Sequence, residues 1–426
     1  MRRLVVAAVL AATFVAMPAA ASNDESAEDR LARLERMERR LHEREAQTVP
    51  ASLRILHMSG YLQPQLVVPV FNGPASPNAD ANGVLPAGAT ANGTHALPDG
   101  TTTNQTLFRM RRARLKAEVT PTDFAQLTIE IEPLPKGARV PQAGSFARNV
   151  EAIGIARIAE DTRLELAMGQ FNLPFGSEIM ESNPGRPFID SSFAMGAMFP
   201  GDFDVGARGA FFFRQLTLMA SVVNGVMIGE PTFSLTPDLD ATKDVTLRAD
   251  YDFGPIDVGV STYVGKGSRV DTTRLAALSW RRSAWNAEAT VHHAVFPKLG
   301  ATKVVLGATI GTNMDRGVAY SFTLPDFPKV AGGPIVDKRQ LAGVVRVEQD
   351  ATRWLTLGLR YDYYTPELDV ADDGRNAFAG VLAVHFTKQL QTMLEYDVAF
   401  DHVHPAASPR VSRVTDTYSA VFQARF

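Results

Sequence analysis

From about Arg54 to the C-terminus, apolar and polar side chains alternate with a period of two, in segments of roughly ten residues. The clearest is FAQLTIEIEP. Ala125, Leu127, Ile129 and Ile131 fall on one face, and Gln126, Thr128, Glu130 and Glu132 on the other. RLELAMG repeats the pattern, with Leu164, Leu166 and Met168 against Arg163 and Glu165. DVTLRADYDF sets Val245, Leu247, Ala249 and Tyr251 against Thr246, Arg248, Asp250 and Asp252. WLTLGLRYDYY sets Leu355, Leu357, Leu359 and Tyr361 against Thr356, Gly358, Arg360 and Asp362. The alternation runs to the last residue, where Tyr418, Ala420, Phe422, Ala424 and Phe426 share a face. Chain ends in water-soluble domains fray and tend to be polar, so an apolar face that reaches the carboxylate needs another solvent.

Connection lengths choose between a soluble sandwich and a membrane barrel. Short connections are read at 120–123, 159–162, 253–256, 349–352 and 387–389. Long ones are read at 71–106, 175–203, 224–242, 325–338 and 401–410. Short and long take turns along the chain, as when every second connection lies on one side of a membrane. The expected fold class is therefore all-β, a transmembrane antiparallel barrel. Counting segments gives about eighteen strands, or about sixteen without the weak stretch from Lys303 to Leu324. Aromatic residues near segment ends, among them Tyr61, Phe171, Tyr251, Tyr361 and Phe400, suit interfacial girdles.

The first fifty residues follow another pattern. Arg2 and Arg3, the apolar run Leu4–Met17 and the small residues Ala19–Ala21 read as a secretory signal, residues 1–21, cleaved after Ala21. In residues 22–50, Ala27, Leu31, Leu34 and Leu41 recur at three- and four-residue steps among Glu and Arg. That predicts a short periplasmic coiled coil through which copies associate, with a solvated helical linker as the alternative. The barrel occupies residues 51–426.

Composition narrows the chemistry. Apolar residues make up 45%, an ordinary value that does not by itself announce a membrane protein. The formal charge is −3, and more acidic by two without Arg2 and Arg3, which argues against general nucleic-acid binding. There is no cysteine, so disulfides and thiolate chemistry are excluded. No P-loop, dinucleotide or Gly-x-Ser-x-Gly fingerprint appears, and no enzyme or cofactor is expected. His402 and His404 share a strand face, but a zinc site needs three or four ligands.

The candidate chemistry is electrostatic. FRMRRARLKAE puts Arg112, Arg114, Lys116 and Glu118 on one face, with Phe108 and Met110 leading into it. Arg109 and Arg111 fall on the other face, where long side chains snorkel to headgroups. Glu130 and Glu132 on the next strand pair across the sheet with these cations; an uncompensated anion ladder is the competing reading. The long segment 175–203 is too apolar to dangle in water, through Ile189, Phe193, Met195, Met198 and Phe199. It is expected to fold into the barrel and narrow it, bringing Arg186, Asp190, Glu178 and Glu181 near the constriction. A lid over the mouth is the alternative. Pore-lining roles are assigned to Arg112, Arg114, Lys116, Glu130, Glu132, Arg163, Arg186, Arg208, Arg248, Asp250 and Arg360.

RRARLKAEVTPTDFAQLTIEIE resembles the phosphate-selective porin O and P family. So do Leu173-Pro174-Phe175-Gly176, Pro187-Phe188-Ile189-Asp190-Ser191 and the Pro200-Gly201-x-x-Asp204-Val205-Gly206 element, in that order. The likeness is good from about 105 to 225. It implies a trimeric outer-membrane barrel of a Gram-negative bacterium, commonly of sixteen strands, with the third external loop folded inward and an N-terminal coiled coil. Passive diffusion of small hydrophilic, anionic or mixed solutes follows from it, in contact with outer-membrane lipid and lipopolysaccharide. Asp202-Phe203-Asp204 stands where many relatives place arginine, and the third loop is acidic on balance. The aromatic terminus Phe426 looks like the signal read by barrel-assembly machinery. The rival class is a non-conducting structural or adhesive anchor.

Overall fold

The computed structural model describes residues 56–72, 90–91, 94–96, 102–104, 107–132, 147–181, 183–199, 202–227, 242–271, 276–293, 300–314, 337–369, 374–403 and 411–426. The leader, its cleavage site and the helical seam of residues 22–50 lie outside the described residues, as does His404.

The chain opens the barrel with β1 (Leu56–Asn72). A small separate sheet follows, β2 (Thr90–Ala91), β3 (Thr94–Ala96) and β4 (Thr102–Asn104), in that spatial order. The barrel continues with β5 (Leu107–Thr122), β6 (Ala125–Ile131), β7 (Ala147–Ala159), β8 (Thr162–Asn172), β9 (Phe203–Phe213) and β10 (Leu216–Val223). Then come β11 (Asp244–Asp252), β12 (Ile256–Asp271), β13 (Ala276–His293), β14 (Thr302–Thr312) and β15 (Arg339–Thr352). It ends with β16 (Leu355–Thr365), β17 (Arg375–His385), β18 (Leu390–Val403) and β19 (Val411–Arg425). Each barrel strand pairs antiparallel with its neighbours, and β1 pairs β19, so sixteen strands close on themselves. A closed ladder leaves no edge, which is how a sheet satisfies its backbone in hydrocarbon.

The strand count falls at the lower of the two expected values. Lys303 to Leu324 contributes a single strand, β14, among the described residues. The tight turns lie at 123–124, 160–161, 214–215, 253–255, 353–354 and 386–389. The turn expected at 349–352 is displaced to 353–354, because Gln349 and Asp350 still pair with Leu357 and Thr356. The turn at 214–215 escaped the alternation, since the Phe211–Phe213 run gives no period. All these turns share one end of the barrel with both chain termini of the ladder. The strand ends that the long connections join lie at the other end.

Outward positions carry the greasy alternates. Met168, Leu359 and Trp285 are 70%, 68% and 62% exposed, where a soluble sandwich would bury them. Inward positions carry Gln63, Arg114, Glu132, Thr246, Arg248, Arg360 and Gln423, all buried. The seam is closed by reciprocal hydrogen bonds. Gly60 N–H donates to Phe426 O at 3.0 Å, and Phe426 N–H donates to Gly60 O at 3.1 Å. Gly60 has no alternative here, because a Cβ would meet the Phe426 ring at 2.6 Å and also press on the Arg114 carbonyl.

One local irregularity corrects the expected facing of the arginine run. The β1–β5 register steps from Gln63↔Arg112 to Pro64↔Met110, leaving Arg111 as an extra residue in a β-bulge. Below the bulge Arg112, Arg114 and Lys116 face inward, as the alternation requires. Above it the phase is reversed. Phe108 and Met110 point out, 83% and 45% exposed, and Arg109 and Arg111 turn in to reach Gln65 Oε1. The expected snorkelling of these two side chains is thus replaced by a place beside Arg112.

Candidate pore constriction

Residues 173–202 connect β8 to β9, and the described ones among them pack on the inner face of the barrel. Two short helices, α1 (Gly176–Met180) and α2 (Phe193–Met198), punctuate the segment. Its apolar residues are the reason it does not sit in water. Leu173, Phe175, Ile179, Ala194, Met195, Ala197, Met198 and Phe199 form one buried cluster with the wall residues Phe171, Val223, Tyr263, Ala284, Ala342 and Tyr364. Phe175 and Phe199 stack with centroids 4.3 Å apart, and Phe199 meets Tyr263 edge-on at 5.7 Å. Phe188 and Ile189 form a second cluster with Ala379, Val381, Ala383, Met393 and Val421 on β17, β18 and β19. The wall is cut back to fit: a Cβ at Gly358 would lie 2.9 Å from the Phe188 ring, and one at Gly311 3.1 Å from Met198 Sδ.

Polar contacts fasten the loop mainly through its main chain. Gly176 N–H donates to Ser261 Oγ at 3.1 Å, and Ser177 N–H to Glu288 Oε2 at 2.7 Å. The Pro184 carbonyl accepts from Gln423 at 3.2 Å and from Arg425. Ile189 N–H donates to Glu395 Oε2 at 2.6 Å, and the Ile189 carbonyl accepts from Arg112 at 3.3 Å. The Asp190 carbonyl accepts from Arg360 at 2.6 Å. The loop therefore reaches β12 and β13 at its start, β19 at Pro184, and β5, β16 and β18 at Ile189-Asp190.

Glu181 adds an ionic clamp. Its carboxylate lies 2.9 Å from both Lys303 Nζ and Arg346 NH1. Partial burial opposes its ionisation, but Arg346 and Lys303 outweigh that and hold the carboxyl below its ordinary 4.5. Arg186, assigned to the pore wall from sequence, sits inside the loop instead. It is 4% exposed and binds the Glu181 carbonyl at 2.9 Å, the Ser191 hydroxyl at 2.5 Å and the Glu178 carbonyl. It braces the loop and does not line a water path.

The other assigned cations are paired along the wall. Arg114 contacts Glu130 at 3.3 Å and Glu132 at 3.2 Å across β5–β6, and Arg148 of β7 joins Glu132 at 3.5 Å. Lys116 pairs with Glu118 at 2.8 Å and Arg163 with Glu165 at 3.0 Å. Arg208 pairs with Glu151 at 2.9 Å, over the Phe171 ring. Arg248 bridges Asp250 and Glu288 at 2.5 and 2.6 Å. Arg360 holds Asp362 at 3.0 Å and stands 5.0 Å from the Phe188 ring centroid. Arg112 differs. Its partners are Gln63 Oε1 at 3.2 Å and the Ile189 carbonyl. Arg109 likewise donates to Gln65 Oε1, at 2.8 Å. Among the described residues neither guanidinium is ion-paired to a carboxylate.

Several participants were not legible in sequence. Arg109 and Arg111 were turned by a bulge. Arg148, Arg346 and Glu395 sit on strands whose polar faces look like any other wet wall. No cluster of three metal-ligating side chains occurs among the described residues.

Neither protein-family models nor curated proteins give a match to this chain. Solved structures do. The outer membrane channel DcaP of Acinetobacter baumannii is 12% identical, over 87% of this chain and 97% of that one, with a TM-score of 0.56. The outer membrane protein OmpT of Vibrio cholerae is 10% identical over 87% and 97%, with a TM-score of 0.53. The anion-selective porin from Comamonas acidovorans is 10% identical over 87% and 99%, with a TM-score of 0.51. The chain has the fold of a sixteen-stranded outer-membrane porin. At such low identity the likeness speaks for the porin barrel as a whole. What passes through this one has to be argued from its own side chains.

Proposed function

We propose that this protein is a passive diffusion channel of a Gram-negative outer membrane, with a preference for small anions. The observation that carries the preference is the pair Arg109 and Arg112, which face glutamines and a carbonyl beside the loop tip instead of carboxylates. An inward guanidinium without a counter-charge attracts anions and repels cations, most strongly where the passage is narrow. The remaining wall cations, with their acidic neighbours, keep the bore wet and polar without adding much net field. The motifs around 105–225 support a place near the phosphate-selective porin O and P family, while the acidic third loop favours small hydrophilic anions in general over phosphate alone. A homotrimer set in lipid and lipopolysaccharide, aided by the seam Ala27, Leu31, Leu34 and Leu41, completes the proposal, with Phe426 as the handle for assembly machinery.

The test is single-channel recording of refolded protein in planar bilayers, with reversal potentials under a salt gradient. Conductance with an anion-selective sign is expected. Arg109→Gln with Arg112→Gln should shift the sign toward cations. A cation-selective wild type refutes the preference, and a protein that never conducts favours the anchor reading.

A further inference from the structure

A small cavity lies between the inner loop and the wall, and neither Arg109 nor Arg112 lines it. One side is the start of α1, at Ser177 and Glu178, with Ser192 and Met195 at the start of α2. The other side is β13, β14 and β15, where Val305, Gly307, Ala342 and Val344 leave the sheet shallow. The space is partly open and has room for about two waters.

One polar group in its lining is incomplete. Asn286 of β13 is 7% exposed. Its Nδ2 donates to Thr309 Oγ1 at 2.9 Å and to the Ala308 carbonyl at 3.3 Å. A carbonyl can only accept, so the amide cannot be turned the other way round. Asn286 Oδ1 is then a buried acceptor with no donor among the described residues. Such groups are rare and costly, and a donor brought by a ligand would complete this one.

The surrounding charges favour a positive donor. Glu178 accepts from the Ser192 amide and hydroxyl, and no cation pairs with it among the described residues. A carboxylate has about four acceptor sites, so Glu178 keeps capacity for more. Arg346 also lines the space, but Glu181 at 2.9 Å and Glu348 at 2.7 Å meet its charge. Arg186, Arg248, Lys303 and Arg346 stand against Glu178, Glu181, Asp250, Glu288 and Glu348, which leaves one negative charge over. A Ca²⁺ or Mg²⁺ ion does not suit the site, because it takes about six oxygens or more, and Met195, Val305, Ala342 and Val344 offer none.

We propose that this cavity binds a small primary ammonium ion of the size of methylammonium. Its N–H groups donate to Asn286 Oδ1 and to the Glu178 carboxylate, and its methyl group rests on Val305, Ala342 and Val344. Because Glu178 belongs to the loop and Asn286 to the wall, the bound cation is a removable pin between them. The inference does not rest on the channel reading, and its test needs no current.

Refolded protein in detergent is titrated with methylammonium chloride and followed by saturation-transfer NMR. Tetramethylammonium chloride, which is bulkier and has no N–H, is the control. Transfer to methylammonium and none to tetramethylammonium is expected. Asn286→Leu, close in shape but without the acceptor, should weaken binding roughly ten-fold or more, the worth of a hydrogen bond to a charged group. Val305→Ala deepens the cavity and should let ethylammonium bind more tightly than it does to the wild type, a gain that misfolding cannot imitate. At ten times its dissociation constant, methylammonium should slow hydrogen exchange over 176–180 by about ten-fold. No transfer to methylammonium would mean that water alone fills the space, and overturns the inference. Equal transfer to tetramethylammonium, binding unchanged in Asn286→Leu, or no gain for ethylammonium in Val305→Ala overturns it equally. Binding without slower exchange over 176–180 overturns the pin.

Discussion

Phe188 anchors the far end of the inner loop, and its truncation isolates what the docking is worth. The ring is 2% exposed, lies against Ala379, Val381, Ala383, Met393 and Val421, and carries the Arg360 guanidinium 5.0 Å from its centroid. Phe188→Ala empties a site bordered by Gly358, Ala379 and Ala383, whose side chains are absent or too short to close over it. Large-to-small changes of this kind cost about 3–5 kcal/mol, toward the upper end where the site cannot collapse. The sixteen-strand ladder does not use the ring, so the cost falls on loop docking. The adjacent Ile189 amide reports it directly, because it donates to Glu395 across the interface. At about 1.4 kcal/mol per factor of ten, its protection against hydrogen exchange should fall by about two to three and a half powers of ten. The assay is hydrogen–deuterium exchange of refolded protein in detergent, comparing peptides over 183–192 with peptides over β16 to β18. Single channels should flicker in parallel. Unchanged exchange at Ile189 would refute the assignment of docking energy to this ring. Equal loss of protection in the strands would refute the separation of loop from barrel.

The seam and the ionic clamp give two further tests. Gly60→Ala forces a methyl against the Phe426 ring and the Arg114 carbonyl, and should cost about 1–3 kcal/mol as overpacking. It should lower the temperature at which the folded band disappears on a semi-native gel; an unchanged temperature would show that the seam has slack. Glu181, with its carboxyl held below 4.5, contributes its clamp fully above that pH and loses it as pH falls through the lowered value. Channel noise should therefore stay low from pH 7 down to 4.5 and rise only below, whereas Glu181→Gln should be noisy at pH 7. Onset of noise at pH 6 in the wild type would contradict the lowered carboxyl.

Much of the barrel was readable from periodicity because each strand meets two solvents. Leu127, Ile129 and Ile131 against Thr128, Glu130 and Glu132 mark faces whatever lies around them. Turn positions were less secure. Gln349 to Thr352 are polar and look like a turn, yet the ladder continues through them, since a backbone can pair regardless of side-chain polarity. The bulge at Arg111 was hidden for a deeper reason. In a run of basic residues an inserted position changes facing without changing composition, so nothing in the run itself marks it. The inward burial of 173–202 could be anticipated from its own apolar content. The wall groups that receive it could not, because Glu395, Arg360 and Ser261 acquire meaning only when a loop arrives from 85 to 206 residues away.

The polar contacts by which the barrel wall holds the inner loop at Gly176, Ser177, Pro184, Ile189 and Asp190 are made to its peptide groups. Peptide groups are the same whichever amino acid is encoded. Exposed loop positions such as Asp190 are thus free to drift under selection while the segment keeps its course. A lineage of such channels has a ready way to retune what it admits one codon at a time, leaving the frame that admits it untouched.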